Sequence, residues 1–166
     1  MGLLRKLRHL TAPGWLVRRH FAKDDLDAVE AAIDVSEKTH RGEICVVVEG
    51  ALPFAALWHE EDSRRRAARL FLEYGVDQTR EATGILLYIQ LLDHQLEILA
   101  DRGIAERVPQ AVWDDLCHTA EADFAAGRYR DGLVSAVGRI GTLLAEHFPA
   151  TADDNPNELG NRPRLR

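Results

Sequence analysis

Three carboxylates stand where a break in the chain could present them. Glu43 follows Arg41-Gly42, Asp101 precedes Arg102-Gly103, and Asp131 lies between Gly127 and Gly132. Oxygen donors gathered from separate loops are what a hard cation such as Ca²⁺ or Mg²⁺ takes. Glu43, Asp101 and Asp131 are therefore the candidate metal ligands, on condition that their loops meet. A plainer reading stands beside this one. Glu43 with Arg41, and Asp101 with Arg102, can form ordinary ion pairs near a surface, and such pairs are weak.

Other chemical signatures are missing. The chain has no GxxxxGK[ST] and no GxGxxG, so no nucleotide cofactor is expected. It has no HExxH and no GxSxG. The seven histidines are scattered, and none pairs with a Cys or Ser at a telling spacing. His94 reads as a turn residue rather than a base. Cys45 and Cys117 are far apart and lack metal-ligand spacing, which points to a reducing cytoplasm rather than a disulfide or zinc site.

The elements that must position these residues are readable from spacing. At 166 residues and 46% apolar, the chain suffices for one compact core. The stretch Gly84 to Gly103 reads as two apolar strands joined by a tight turn at Asp93-His94. Glu43 to Glu49 reads as a buried strand, because β-branched residues crowd it without alternation. Asp24 or Asp25 can cap a helix to about Lys38 that buries Leu26, Val29 and Ile33. Gly50 to Glu61 reads as irregular. Ser63 can cap a helix over 64–75 with Arg64, Arg65 and Arg66 facing water and Gly75 ending it.

Pro109 suits the first turn of a helix to about Ala126, and a last helix runs over about 130–147. Gly138 and Gly141 within that helix suggest close helix approach. The order is α, β, α, β, β, α, α. It predicts a three-layer αβα sandwich with a small mixed sheet: one parallel β-α-β crossover, one antiparallel hairpin, helices on both faces. The domain spans 24–149, between a basic arm over 1–23 and an extended polar tail over 150–166.

This topology sorts the polar residues to two ends. A strand of about eight residues spans roughly 26 Å, so Asp93 at the hairpin tip and Asp101 at its base cannot share one small site. The tip gathers Glu49, Glu60 and Glu61. The base gathers Glu43, Thr83 and Asp101-Arg102, and the turn between the last two helices is expected there too. In open α/β sheets ligands favour the carboxyl ends of parallel strands, which is the tip.

Charge narrows the partners. Residues 1–23 hold six Lys or Arg and no acid; with −6 for the whole chain, −12 falls on the remainder. An acidic body repels phosphates, so no nucleic-acid partner is expected. In the arm, Leu3, Leu4, Leu7 and Leu10 follow helical spacing, with Arg5, Lys6 and Arg8 on the other face. Residues 1–20 can then lie on an anionic membrane surface. Alternatively the arm packs on its own domain through Leu7, Leu10, Trp15 and Phe21.

Several segments together resemble the TPM domain family. They are Gly42-Glu43, Arg64 to Tyr74, Thr83 to Ile89, Leu96 to Gly103, Gly127 to Tyr129, Gly132-Leu133, His147 to Pro149, and Asn155 to Leu159. The likeness, to a short soluble bacterial branch, covers about residues 24 to 160. It implies a three-layer αβα fold. For function it implies either a metal-dependent acid phosphatase or a calcium-binding or accessory module.

The recurrent polar positions of the family fall on Glu43, the residues before Gly84, and Asp101-Arg102-Gly103. The resemblance thus favours the base over the tip. As a phosphatase, the chain would hold its cation with Glu43 and Asp101 and bind phosphate with Arg102. The chain departs from the family at Ala82-Thr83, where Asn-Asn or Asp-Asn is expected, leaving fewer amide oxygens for a cation. The resemblance also implies a cytoplasmic protein, associated with the membrane or with a membrane-anchored relative.

Overall fold

A computed structural model describes residues 2–151 and 157–166 of the chain. Strands β1 (Glu43–Glu49) and β2 (Gly84–Gln90) pair in parallel, with Glu43 opposite Gly84 and Glu49 opposite Gln90. Every residue of both strands is buried, as their unbroken apolar runs require when helices lie on both faces. β2 turns through His94, whose φ is +53°, into the antiparallel β3 (Gln95–Ala100).

The helical elements are α1 (Leu3–Leu10), α2 (Leu16–His20), α3 (Lys23–Glu37), α4 (Phe54–Trp58), α5 (Ser63–Glu73), α6 (Arg102–Ala105), α7 (Gln110–Ala125) and α8 (Tyr129–His147). Side chains alternate across each strand, which divides the core in two. On one face Ile44, Val46, Val48, Ile85, Leu87 and Ile89 meet Val29 and Ile33 of α3, Trp113 and Phe124 of α7, and Leu133 and Ile140 of α8. On the other, Cys45, Val47, Leu86 and Tyr88 meet Ala67 and Leu70 of α5. The three-layer αβα sandwich expected from the sequence is the fold observed.

Several local expectations are corrected. The segment 50–61 contains α4, started by Pro53 and held by the small cluster Leu52, Ala56 and Leu57. The N-cap of α5 is Asp62, which accepts the Arg65 N–H at 2.7 Å, not Ser63; Ser63 donates to Glu97 instead. Arg66 does not face water. It is buried against Glu49.

The polar tail falls partly on 152–156, outside the described residues. Its last residues form β4 (Arg164–Leu165), parallel to β1 at the sheet edge, giving the order β3-β2-β1-β4. A Cβ on Gly141 would lie 1.9 Å from the Ser36 hydroxyl of α3, so α3 and α8 do approach closely there. A Cβ on Gly138 would meet nothing within 4 Å.

Candidate functional site at the base of the sheet

Register brings the base residues side by side. Glu43 opens β1 opposite Gly84, and the Asp101 N–H donates to the Gly84 carbonyl at 2.8 Å. Glu43 and Asp101 therefore flank β2 at the same end. Two strand spacings put their backbones about 10 Å apart. Each carboxylate is engaged separately. Glu43 is 3% exposed, and its Oε2 accepts the N–H groups of Glu158 at 3.1 Å and Leu159 at 3.2 Å. Burial pushes its carboxyl upward, and those two backbone bonds oppose the rise.

A second carboxylate stands beside it. Glu37, at the end of α3, accepts the Ile44 N–H at 3.1 Å. Its carboxyl is pushed up to about 7, first by burial and then by the charge of Glu43. Glu37 and Glu43 open on a cavity of 380 Å³ that is also lined by Asp34, Lys38, Asn157 and Asn161. The Asn161 amide donates to Asp34, and the Asn157 amide donates to the Asn161 oxygen.

On the other side of β2 lies a cavity of 500 Å³, lined by Thr79, Arg80, Glu81, Ala82, Arg102 and Glu106 among others. Asp101 caps α6: its Oδ1 accepts the Arg102 N–H at 2.7 Å. Its Oδ2 is buried and lacks a hydrogen-bond partner among the described residues. Ala82 has φ +54°, a left-handed conformation that Asn and Gly adopt more readily. The Asn expected here from the family pattern is absent, but the backbone shape that suits it remains. Gly103 is obligatory, since a Cβ would lie 2.6 Å from the Glu81 and Ala82 carbonyls.

The loop ion pairs weighed from the sequence are formed differently. Arg41 pairs with Glu81, not Glu43. Asp101 bonds the backbone of Arg102. Asp131 is not brought to the base. It lies in the first turn of α8, beside Tyr129, whose hydroxyl meets His94 Nδ1 at 2.9 Å at the hairpin tip. The opposite end of α8 reaches the base, where Leu144 packs on Gly42. Thirteen residues of helix separate Asp131 from Leu144, about 20 Å. The turn between α7 and α8 is thus at the tip, because α8 runs back along the sheet. Among the described residues, no three His, Cys, Asp or Glu side chains are arranged to hold a metal ion.

The chain matches the model of the TPM domain over residues 19–143. The chain belongs to the TPM domain family. The NMR structure of the BA42 protein from the psychrophilic bacterium Bizionia argentinensis is similar to it, with a TM-score of 0.77 and 28% identity. That match covers 88% of this chain and 95% of the BA42 chain. No curated protein matches. No helix of the described residues is long and apolar enough to cross a membrane.

Within this TPM domain, sequence reasoning passed over Glu37, Asp34 and the Asn157–Asn161 turn. Glu37 is the last residue of an amphipathic helix and gives no motif. The Asn155 to Leu159 segment, beyond the matched residues 19–143, carries a signal in its polar composition, and its Glu158 and Leu159 amides are the partners of Glu43. The tip holds another missed group. Arg66 bonds both oxygens of buried Glu49, with Nε to Oε2 at 2.9 Å, and the Tyr88 hydroxyl donates to that Oε2 at 2.7 Å. The triad is closed on itself, and it joins α5 to the sheet.

Proposed function

We propose that this TPM domain is an accessory module that takes up a hard divalent cation at the base of its sheet. The supporting observation is the pair Glu37 and Glu43, two carboxylates held side by side on one 380 Å³ cavity. The Ile44 N–H and the Asn161 amide on Glu37, and the Glu158 and Leu159 N–H groups on Glu43, offset their mutual repulsion in part. Lys38 is the one basic lining residue among the described residues, so a cation would relieve it further. Asn157 and Asn161 line the same cavity from a separate segment, and their amide oxygens, which here accept the Gly160 N–H and the Asn157 amide, are the further hard donors within it. Such an irregular oxygen set suits Ca²⁺ better than Mg²⁺, which demands near-octahedral geometry.

Calorimetric titration tests this reading. Ca²⁺ should give heats well above dilution on the wild type, and Glu43→Gln should weaken binding about tenfold or more. Heats no larger than dilution on the wild type would remove the cation and leave a module for a protein partner, such as a membrane-anchored relative.

A metal-dependent acid phosphatase is the second reading. It is favoured by one observation, the orphaned buried Oδ2 of Asp101 beside a cavity lined by Arg102. There the Arg102 guanidinium would grip a phosphoester and Asp101 would offer an oxygen to the cation. Equal turnover of a phosphoester by the wild type and Asp101→Ala, with Mg²⁺, Mn²⁺ or Ca²⁺ present, would remove it.

A further inference from the structure

The N-terminal helix is docked the wrong way round for a globular protein. A surface helix ordinarily buries its apolar stripe. α1 buries its polar one. His9 is 3% exposed, while Leu3, Leu4, Leu7 and Leu10 are exposed at 76, 85, 54 and 56%. Three contacts fix this orientation. Arg5 reaches Asp93 of the hairpin turn with Nε at 2.9 Å and Nη2 at 2.6 Å. Lys6 bonds Glu60 at 2.7 Å. His9 Nδ1 accepts the Leu52 N–H at 3.0 Å, so its Nε2 carries the proton and donates to Asp93 at 3.2 Å. The packing of Leu7, Leu10 and Trp15 on the domain, weighed from the sequence, does not occur; of that set only Phe21 is buried.

The outward leucines have aromatic company. Trp15 is exposed. So are Phe54 and Trp58 of α4, the helix flanked by the Leu52 and Glu60 contacts of α1. The charge carried by the arm itself is of one sign. Of the six basic residues in 1–23, Arg5 and Lys6 are spent on the dock and Lys23 pairs with Asp27. Arg8, Arg18 and Arg19 remain exposed, with Arg8 reaching Asp93 only at 4.0 Å and Arg19 over the Trp15 ring.

We infer that α1 and its neighbours form a docking surface for an anionic lipid bilayer. Exposed leucines and tryptophan enter the headgroup boundary while arginines meet anionic headgroups. The pattern disfavours a symmetric pair of copies, which would set the same arginines against each other. The body, at −12 over residues 24–166, is otherwise repelled by such a surface, so contact is confined to the arm and the adjoining α4.

Co-sedimentation of the full chain with vesicles tests this. The wild type should sediment with phosphatidylglycerol-containing vesicles far more than with pure phosphatidylcholine, and added salt should release it. Leu4→Asp with Leu7→Asp should cut that binding about tenfold or more with an unchanged thermal melt, because both side chains are exposed. Arg8→Ser with Arg18→Ser and Arg19→Ser should abolish the preference for anionic vesicles. A wild type that stays in the supernatant overturns the inference, as does vesicle binding equal in the leucine variant. So does a wild-type dimer that the leucine pair converts to monomer without any vesicle binding.

Discussion

Replacing Glu37 by Gln should stabilise the fold at neutral pH and leave it unchanged in acid. The Glu37 carboxyl rises from 4.5 to about 7 on folding, through burial and then the Glu43 charge. A raised carboxyl favours the native state below its unfolded value, where both states are protonated, and that advantage is lost as pH climbs from 4.5 through about 7. Above that range the native state carries the full cost of an ionised Glu37. At about 1.36 kcal/mol per pH unit, the shift sets an upper bound of about 3.4 kcal/mol. The side chain is only partly buried, so solvent screening reduces this to about 1–2 kcal/mol.

Gln keeps an oxygen for the Ile44 N–H and removes the charge facing Glu43. Urea unfolding with a chelator present should therefore show Glu37→Gln more stable than wild type by about 1–2 kcal/mol near pH 8, and level with it near pH 4. Taking the difference between the two proteins cancels other titrations, including His40, whose burial lowers its value to about 4. A variant less stable than wild type near pH 8, or a gain equal at both pH values, would refute the electrostatic argument.

Other substitutions probe the frame that holds the base. Arg66→Met strands the buried Glu49 carboxylate and should cost about 3–5 kcal/mol by urea unfolding. Gly141→Ala drives a methyl into the Ser36 hydroxyl and should cost about 1–3 kcal/mol, whereas Gly138→Ala on the open face of α8 should add about 0.5–1 kcal/mol; calorimetric melting orders the pair. Ala82→Gly relieves the left-handed strain and should raise stability by about 0.5–1 kcal/mol, measured as the shift in denaturation midpoint.

Legibility followed the source of each element's stability. β1, β2, α3, α7 and α8 carry long apolar patterns, so their presence and the parallel pairing of β1 with β2 could be read, although α3 starts at Lys23 with Ala22 as its cap, ahead of the Asp24 or Asp25 expected. α4, α6 and β4 are five, four and two residues long. Such short elements carry too little periodicity to read, and β4 also depends on contacts distant in sequence, such as Arg164 with Cys45 and Arg166 with Glu73, which no local pattern reports. Arg66 looked like one of three solvated arginines because its partner Glu49 lies 17 residues upstream.

The site divides along the same line. Glu43 and Asp101 were placed at one end by strand order alone. Asp131 was assigned to that end because the direction of α8 is a tertiary fact. Glu37 escaped notice because its neighbour Glu43 is reached across the β1 entry, through the Ile44 amide. The arm gave an amphipathic pattern but not its orientation, which Asp93, Glu60 and Leu52 decide.

Cation uptake at the Glu37–Glu43 cavity is tested most directly by calorimetric titration of the wild type and Glu43→Gln with Ca²⁺. Heats above dilution are expected for the wild type, with binding about tenfold weaker or more for the variant. Heats of dilution alone for the wild type, or equal affinity in the two proteins, would contradict it.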